Sequence, residues 1–248
     1  MSPESVDSLE TIGLTRSFGG VTALRAASVR FLQGKVNGLI GPNGSGKTTL
    51  FNCVTGMIEP DAGRVTYRGR NITGYAPHRI ARAGIGRSFQ LCRVFPRMTV
   101  LDNLLVAVRA RGLPAQLAGA RSPDDMARAR GWLARMGIDH LEEAEARNLS
   151  WGQQKLLELA GVLMADPATI LLDEPAGGVN PALIDRLAAL IRQLNTEGKT
   201  FVIVEHNMDL VMSICDHIVV LDRGHPIAEG SPSTIRSDAR VLEAYLGV

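Results

Sequence analysis

Cysteine is scarce in this 248-residue chain. Cys53, Cys92 and Cys215 stand far apart, odd in number, and no two share a C-x-x-C spacing. A disulfide framework and a thiolate metal site are poorly served by that pattern, and reduced thiols in a cytosolic compartment fit best. Long apolar runs are missing too: none approaches the roughly 20 residues a helix needs to cross a bilayer. The opening Met1-Ser2-Pro3-Glu4-Ser5 lacks the basic start and apolar stretch of a signal peptide. The expectation is a soluble protein whose membrane role, if it has one, runs through a partner. Charge of one sign is also lacking. With 27 basic and 25 acidic residues the formal net charge is +2, which gives no electrostatic footprint for nucleic acid, and no nucleic-acid partner is expected.

What is present is an ordered, turn-rich chain, 45% hydrophobic with 26 glycines and 12 prolines. Residues 9–14, 27–32 and 65–67 read as short strands. Residues 35–40 read as a strand running into a glycine-rich loop, and 47–55 as a helix with Leu50, Phe51 and Val54 on one face. From about 91 to 165 the periodicity is helical. Thr99 and Ser122 are candidate caps, and 112–122 reads as a connector. After that, 170–172 and 200–204 read as buried strands, 181–196 as a helix and 218–228 as a hairpin. The pattern predicts an α/β protein: a parallel-sheet core interrupted by a helical insertion, with no internal repeat.

The loop between the strand at 35–40 and the helix after it is Gly41-Pro42-Asn43-Gly44-Ser45-Gly46-Lys47-Thr48, a complete G-x-x-x-x-G-K-[ST] pattern in its strand–loop–helix setting. Glycines let successive N–H groups converge on phosphate oxygens, and the helix N-terminus adds partial positive charge. Lys47, one of only four lysines, is expected to neutralise the β and γ phosphates, and Thr48 to offer its hydroxyl to Mg²⁺. With the following Thr49, these are the candidate nucleotide-binding residues.

A second site element is the apolar run Ile170-Leu171-Leu172 ending in Asp173 and Glu174. A carboxylate at the C-terminal end of a buried parallel strand lies at the ligand-binding edge of the sheet. Asp173 is therefore expected to hold Mg²⁺. Glu174, one residue on and pointing elsewhere, is expected to orient or deprotonate an attacking water.

At this point the sequence resembles one family closely. Leu149-Ser150-Trp151-Gly152-Gln153-Gln154 is similar to the LSGGQ signature of ATP-binding-cassette (ABC) ATPases, and like it precedes the acidic pair by about 20 residues. Gln90, in Arg87-Ser88-Phe89-Gln90, resembles the glutamine of the Q-loop. His206, in Val204-Glu205-His206-Asn207, resembles the switch histidine, and Phe18 stands where the family stacks an aromatic on adenine. The order matches from about residue 9 to 230.

That resemblance implies a P-loop NTPase fold of the ABC type: a parallel-sheet core, an N-terminal antiparallel β portion and an inserted helical subdomain. One domain would span 1–248, with its core at about 1–90 and 166–248 and the helical part at about 91–165. It implies ATP and Mg²⁺ as cofactors, Glu174, His206 and Gln90 as catalytic residues, and Thr48, Gln90 and Asp173 at the metal. Ser150, Gly152 and Gln153 would meet the ATP of a second ABC ATPase subunit, identical or paralogous, in a head-to-tail sandwich. Two transmembrane permease subunits would dock at the cytoplasmic face of the membrane, with a periplasmic or extracellular substrate-binding protein acting indirectly.

Two departures from the common pattern stand out: Trp151 in place of the first signature glycine, and Asn180 where many members have Asp. Both resemble the branch that imports branched-chain and other hydrophobic amino acids, as do the stretches 84–90 and 205–212 and the ending Ala244-Tyr245-Leu246-Gly247. An exporter ATPase of the lipopolysaccharide type typically keeps glycine where Trp151 stands. Soluble ABC ATPases of DNA repair and ribosomes usually carry long insertions or two cassettes. A small-molecule P-loop kinase leaves the signature and His206 unexplained. Just after Gln90, the apolar Leu91, Val94, Phe95 and Met98 interleave with Arg93 and Arg97 on a segment too short to bury its own surface. That predicts a groove for a helix of the permease.

Overall fold

The computed structural model describes residues 7–88, 94–108 and 122–246. Two sheets form its frame. The first is antiparallel, with strand order β2-β1-β4-β5, built from β1 (Asp7–Phe18), β2 (Val21–Leu32), β4 (Ala62–Tyr67) and β5 (Arg70–Asn71). The second, in the order β10-β9-β3-β8-β7-β6, contains β3 (Val36–Ile40), β6 (Ile85–Arg87), β7 (Thr169–Asp173), β8 (Thr200–Val204), β9 (His217–Asp222) and β10 (His225–Gly230). Its strands pair in parallel from β9 through β6, and β10 closes one edge antiparallel as a hairpin with β9.

The central strands β3, β7 and β8 are buried at every position. They read as near-continuous apolar runs because both faces of a parallel sheet are covered. On one face, Leu39, Leu171, Val202, Val204 and Val219 pack with Leu9, Phe31 and Val65 of the antiparallel sheet and with Leu50, Phe51 and Val54 of α1 (Lys47–Val54). On the other, Ile40, Ile170, Leu172, Phe201 and Ile203 join helices. These are α3 (Val100–Val106), α4 (Pro123–Met136), α5 (Trp151–Met164), α6 (Pro181–Thr196) and α7 (Met208–Ile214). The remaining helices are α2 (Pro77–Ala83), α8 (Pro232–Ser237) and α9 (Ala239–Leu246).

Thr99 caps α3, its hydroxyl accepting from the Asp102 N–H at 3.0 Å. Ser122 occupies the cap position of α4 with Pro123 at its first residue, but its side chain makes no capping bond. Helix α6 and strand β8 fall where the sequence places them. Strands β1 and β2 are each twelve residues long, twice the sequence expectation. The pairing of β1 with β2 slips between Thr11 and Leu14 and again near Arg16, and each bulge breaks the two-residue alternation that makes a strand readable. The connector read at 112–122 lies outside the described residues except for Ser122. Among the described residues no helix is long and apolar enough to cross a membrane.

Candidate functional site

Strand β3 delivers the chain to the C-terminal edge of the parallel sheet, where the glycine-rich loop turns into α1. Two of its glycines are steric requirements. A Cβ on Gly41 would lie 2.0 Å from the Leu221 carbonyl oxygen, and one on Gly46, at φ +104°, 2.5 Å from that of Ala23. The loop thus threads between the end of β9 and the backbone of β2. Lys47 folds back over it, donating to the carbonyls of Gly41 at 2.8 Å and Pro42 at 2.9 Å. Burial pushes the Lys47 ammonium below its ordinary pKa, opposed in part by the carboxylates of Glu174 and Asp173. A cation, two acids and a row of backbone amides therefore share one partly desolvated place. Thr48 is exposed and Thr49 half-buried. A cleft of about 760 Å³ opens beside Pro42, Asn43, Gly44 and Ser45, with Arg223 and Arg240 on its wall.

Asp173 ends β7 with its side chain buried, and its Oδ2 accepts from Arg87 Nη2 at 2.9 Å. The other arm of that guanidinium donates to Asn52 Oδ1 of α1 at 2.7 Å and to Oγ1 of Thr55, just past its end, at 2.8 Å. The Asp173 N–H donates to the hydroxyl of Ser88 at 3.3 Å. Arg87 and Ser88 were not among the residues expected from sequence to serve the site. The available signal was their place at the end of a strand directly before Gln90. Gln90 itself lies outside the described residues.

Glu174 adopts φ +49°, a left-handed conformation that costs a non-glycine residue roughly 1–2 kcal/mol and persists only where the surroundings over-determine it. They do so here. Its N–H donates to the Val204 carbonyl at 2.9 Å, and its own carbonyl accepts from the Gly177 N–H at 3.0 Å and from Lys155 Nζ at 3.3 Å. The side chain is thereby aimed at His206, whose Nε2 lies 3.0 Å from Glu174 Oε1. Neighbouring Glu205 is buried, and its carboxylate accepts three backbone N–H bonds: Ala176 at 2.6 Å, His206 at 3.0 Å and Asn207 at 3.2 Å. Sequence reasoning passed over it, although an acid directly after the five-residue buried strand β8 was the signal.

Ser150 caps α5 in a reciprocal box. Its Oγ accepts from the Gln153 N–H at 3.3 Å while Gln153 Oε1 accepts from the Ser150 N–H at 2.8 Å. Gln153 thus acts on the shape of this turn through both groups, leaving the Ser150 hydroxyl and the Gly152 N–H at the helix head. Asn180 caps α6, accepting from the Leu183 N–H at 2.9 Å. Phe18 ends β1, 43% exposed, with the Arg16 guanidinium 4.9 Å from its ring centroid. The structure brings together Lys47, Asp173, Glu174 and His206. Phe18 stands at the tip of the β1–β2 hairpin, and Ser150 heads a different helix.

The sequence model described as ABC transporter matches residues 24–177, and one described as branched-chain amino acid ATP-binding cassette transporter matches residues 225–248. The chain is 42% identical over 248 residues to the high-affinity branched-chain amino acid transport ATP-binding protein BraF of Pseudomonas aeruginosa, covering 96% of this chain and 97% of that one. It is 40% identical over 244 residues to the probable branched-chain amino acid transport ATP-binding protein LivG of Archaeoglobus fulgidus, covering 96% and 95%. Among solved structures, the nucleotide-free ATP-binding cassette of an ABC transporter superposes with a TM-score of 0.87 at 34% identity, over 98% of this chain and 100% of that one. An ADP-bound cassette gives 0.87 at 35%, over 98% and 99%. On these matches this chain belongs to the ABC transporter family as a nucleotide-binding, ATP-hydrolysing subunit.

Proposed function

We propose that the chain powers uptake of branched-chain amino acids, working as one of two ATPase subunits beneath a pair of permeases at the cytoplasmic face of the membrane. The observation that carries the catalytic part is the 3.0 Å contact between His206 Nε2 and Glu174 Oε1, beside a lysine-capped phosphate loop. The substrate class rests on the relatives' names and on the matched segment 225–248. We take the core as about 1–90 and 166–248 and the helical part as about 91–165.

In this reading the N–H groups from Asn43 to Thr49 and the Lys47 ammonium receive the phosphates, and Phe18 stacks on the adenine. Phosphates replacing the carbonyls of Gly41 and Pro42 around the ammonium would hold it charged, their negative charge offsetting the burial that depresses its pKa. Magnesium keeps waters and phosphate oxygens in its shell and needs only one or two protein carboxylates. The Thr48 hydroxyl and Asp173 carboxylate suit that donor set, with Gln90 a further ligand. Among the described residues no three His, Cys, Asp or Glu side chains cluster to hold a metal by themselves. The cation, when bound, neutralises charge on the β and γ phosphates. Glu174 orients and deprotonates the water, and His206 holds that carboxylate in place and contacts the γ-phosphate. Ser150 and the Gly152 N–H at the head of α5 present donors and the positive end of the helix dipole to the partner's nucleotide.

The permease would dock in a cavity of about 210 Å³ on the helical part, lined by Val94, Phe95, Val106, Leu157 and Val162, with Arg87 also on its wall. Phe95 and Val106 expose half their surface there. Leu91 and Arg93, expected in this groove, lie outside the described residues, and Arg97 and Met98, also expected there, do not line the cavity. The test is reconstitution in vesicles with a permease pair and a substrate-binding protein of the branched-chain amino acid class. ATP-driven uptake of leucine, isoleucine or valine is expected. ATP-driven uptake of other solutes only would overturn the substrate assignment.

A further inference from the structure

Trp151 occupies a position that the family signature gives to glycine, and the function proposed above leaves it without a task. Its surroundings supply one. The indole N–H donates to the carbonyl of Gly177 at 3.3 Å, and a Cβ on Gly178 would lie 3.1 Å from the indole nitrogen. The ring therefore lies along the Gly177-Gly178 backbone. One turn further along α5, Lys155 reaches the carbonyl of Glu174 at 3.3 Å while its ammonium sits 5.6 Å from the Trp151 ring centroid. Between them, a Cβ on Gly152 would meet Leu183 Cδ2 of α6 at 2.6 Å.

The first two turns of α5 thus rest on the segment from Glu174 to Leu183 at three points. Two of these are the ends of one turn, because the Gly177 N–H donates to the Glu174 carbonyl at 3.0 Å. Lys155 holds the Glu174 end of that turn and Trp151 the Gly177 end. A glycine at position 151 would leave the Gly177 carbonyl without its indole donor and the Lys155 ammonium without its ring.

We propose that Trp151 is a positioning residue that ties the signature turn to the strained turn carrying Glu174, making the two move as one piece. The idea rests on the two-subunit reading. There, the head of α5 meets the partner's nucleotide while Glu174 acts on the nucleotide of its own chain. A shift of α5 on engaging the partner's γ-phosphate would then re-aim the Glu174 carboxylate some residues away. Loss of the indole N–H would leave both half-sites intact and disconnect them.

The test uses the full chain carrying Trp151→Phe, which keeps the ring beside Lys155 and removes the donor, and Trp151→Gly, which restores the common signature residue. Nucleotide affinity is read with a fluorescent ATP analogue, and kcat and the Hill coefficient for ATP by steady-state hydrolysis. Because Trp132 and Trp151 are the chain's two tryptophans, Trp151 emission is followed in a Trp132→Phe, Glu174→Gln protein as ATP is added.

For Trp151→Phe the expected result is affinity within twofold and kcat lower by about fivefold, in line with the net worth of one hydrogen bond. The Hill coefficient should fall toward unity, and Trp151 emission in the reporter protein should shift on adding ATP. A purely structural residue would lower thermal stability and kcat together and leave cooperativity untouched; that outcome overturns the proposal. Unchanged kcat and cooperativity in Trp151→Phe overturn it equally. Full hydrolysis by an isolated monomer of the unaltered chain would instead refute the two-subunit reading, and the tether's role would fall with it.

Discussion

The carboxylate of Glu205 accepts the Ala176 N–H at 2.6 Å, joining the segment after Glu174 to the segment that carries His206. The same carboxylate holds the N–H groups of His206 and Asn207. Acidic side chains are rarely this buried without a cationic partner; here three backbone dipoles take that part. Glu205→Gln offers only one acceptor oxygen to those donors and turns an NH₂ toward one of them. An unsatisfied buried group costs about 1–3 kcal/mol, which for a chain of this size lowers Tm by about 4–8 °C at the middle of that range. Turnover should fall while KM for ATP changes little, since no phosphate-loop contact is lost. An unaltered melting curve would show that Glu205 is not the clamp.

With Glu174 proposed as the base and Lys47 as the phosphate-binding cation, removing each should have separable consequences. Glu174→Gln keeps shape and ATP binding but cannot accept a proton, and turnover is expected to drop by about 100-fold or more. His206→Ala should reduce turnover through loss of its contact with Glu174 Oε1, again with binding retained. Lys47→Ala should weaken ATP binding itself. Equilibrium binding set beside steady-state hydrolysis distinguishes them, and near-normal turnover by Glu174→Gln would remove it from the role of general base.

The thiols of Cys53 and Cys215 are pushed up to about 11 and about 12, in both cases chiefly by burial. Both should resist iodoacetamide at pH 8 in the native chain and react fully once it is denatured; mass spectrometry of peptides reads this directly. The sign of the pH dependence follows. Above the ordinary thiol value the unfolded chain loses these protons while the native chain keeps them, so stability declines as pH rises through that window. Tm at pH 10 should lie below Tm at pH 8.

Phe95→Asp places a charge at the wall of the cavity proposed to receive the permease. Half of this side chain is exposed, so folding should survive. Recovery of the chain with permease-containing membranes should fall at least tenfold. Affinity for ATP in solution should change less than threefold. Undiminished membrane recovery would move the docking surface elsewhere.

Much of the site could be read from residues alone, and the reasons are physical. The loop at 41–48 needs glycine at 41 and 46, where a Cβ would strike a carbonyl, so those two positions are forced. Strands β7 and β8 are buried on both faces and announce themselves as apolar runs. Strand β6 escaped notice because it is three residues long and centres on Gly86, whose Cβ would meet Val162 at 2.7 Å and Pro167 at 2.8 Å. Its strand character comes from pairing with β7, not from its own pattern. With it went Arg87 and the ion pair to Asp173. Helix α7 was also missed as an element, being seven residues long and marked only by the Asn207 cap. The contacts of Trp151 and Glu205 join segments more than 25 residues apart, and no local periodicity reports such meetings.

The left-handed backbone of Glu174 has a consequence for how such a chain drifts over generations. Position 174 would favour glycine or asparagine on conformational grounds, and on the proposed function glutamate stays there against that preference for the sake of its carboxylate. The glycines at 41 and 46 answer to packing and would be kept by any descendant that still folds. A lineage released from the need to hydrolyse ATP should therefore lose glutamate at 174 early and retain both glycines. Degenerate copies of this cassette should be recognisable by that asymmetry.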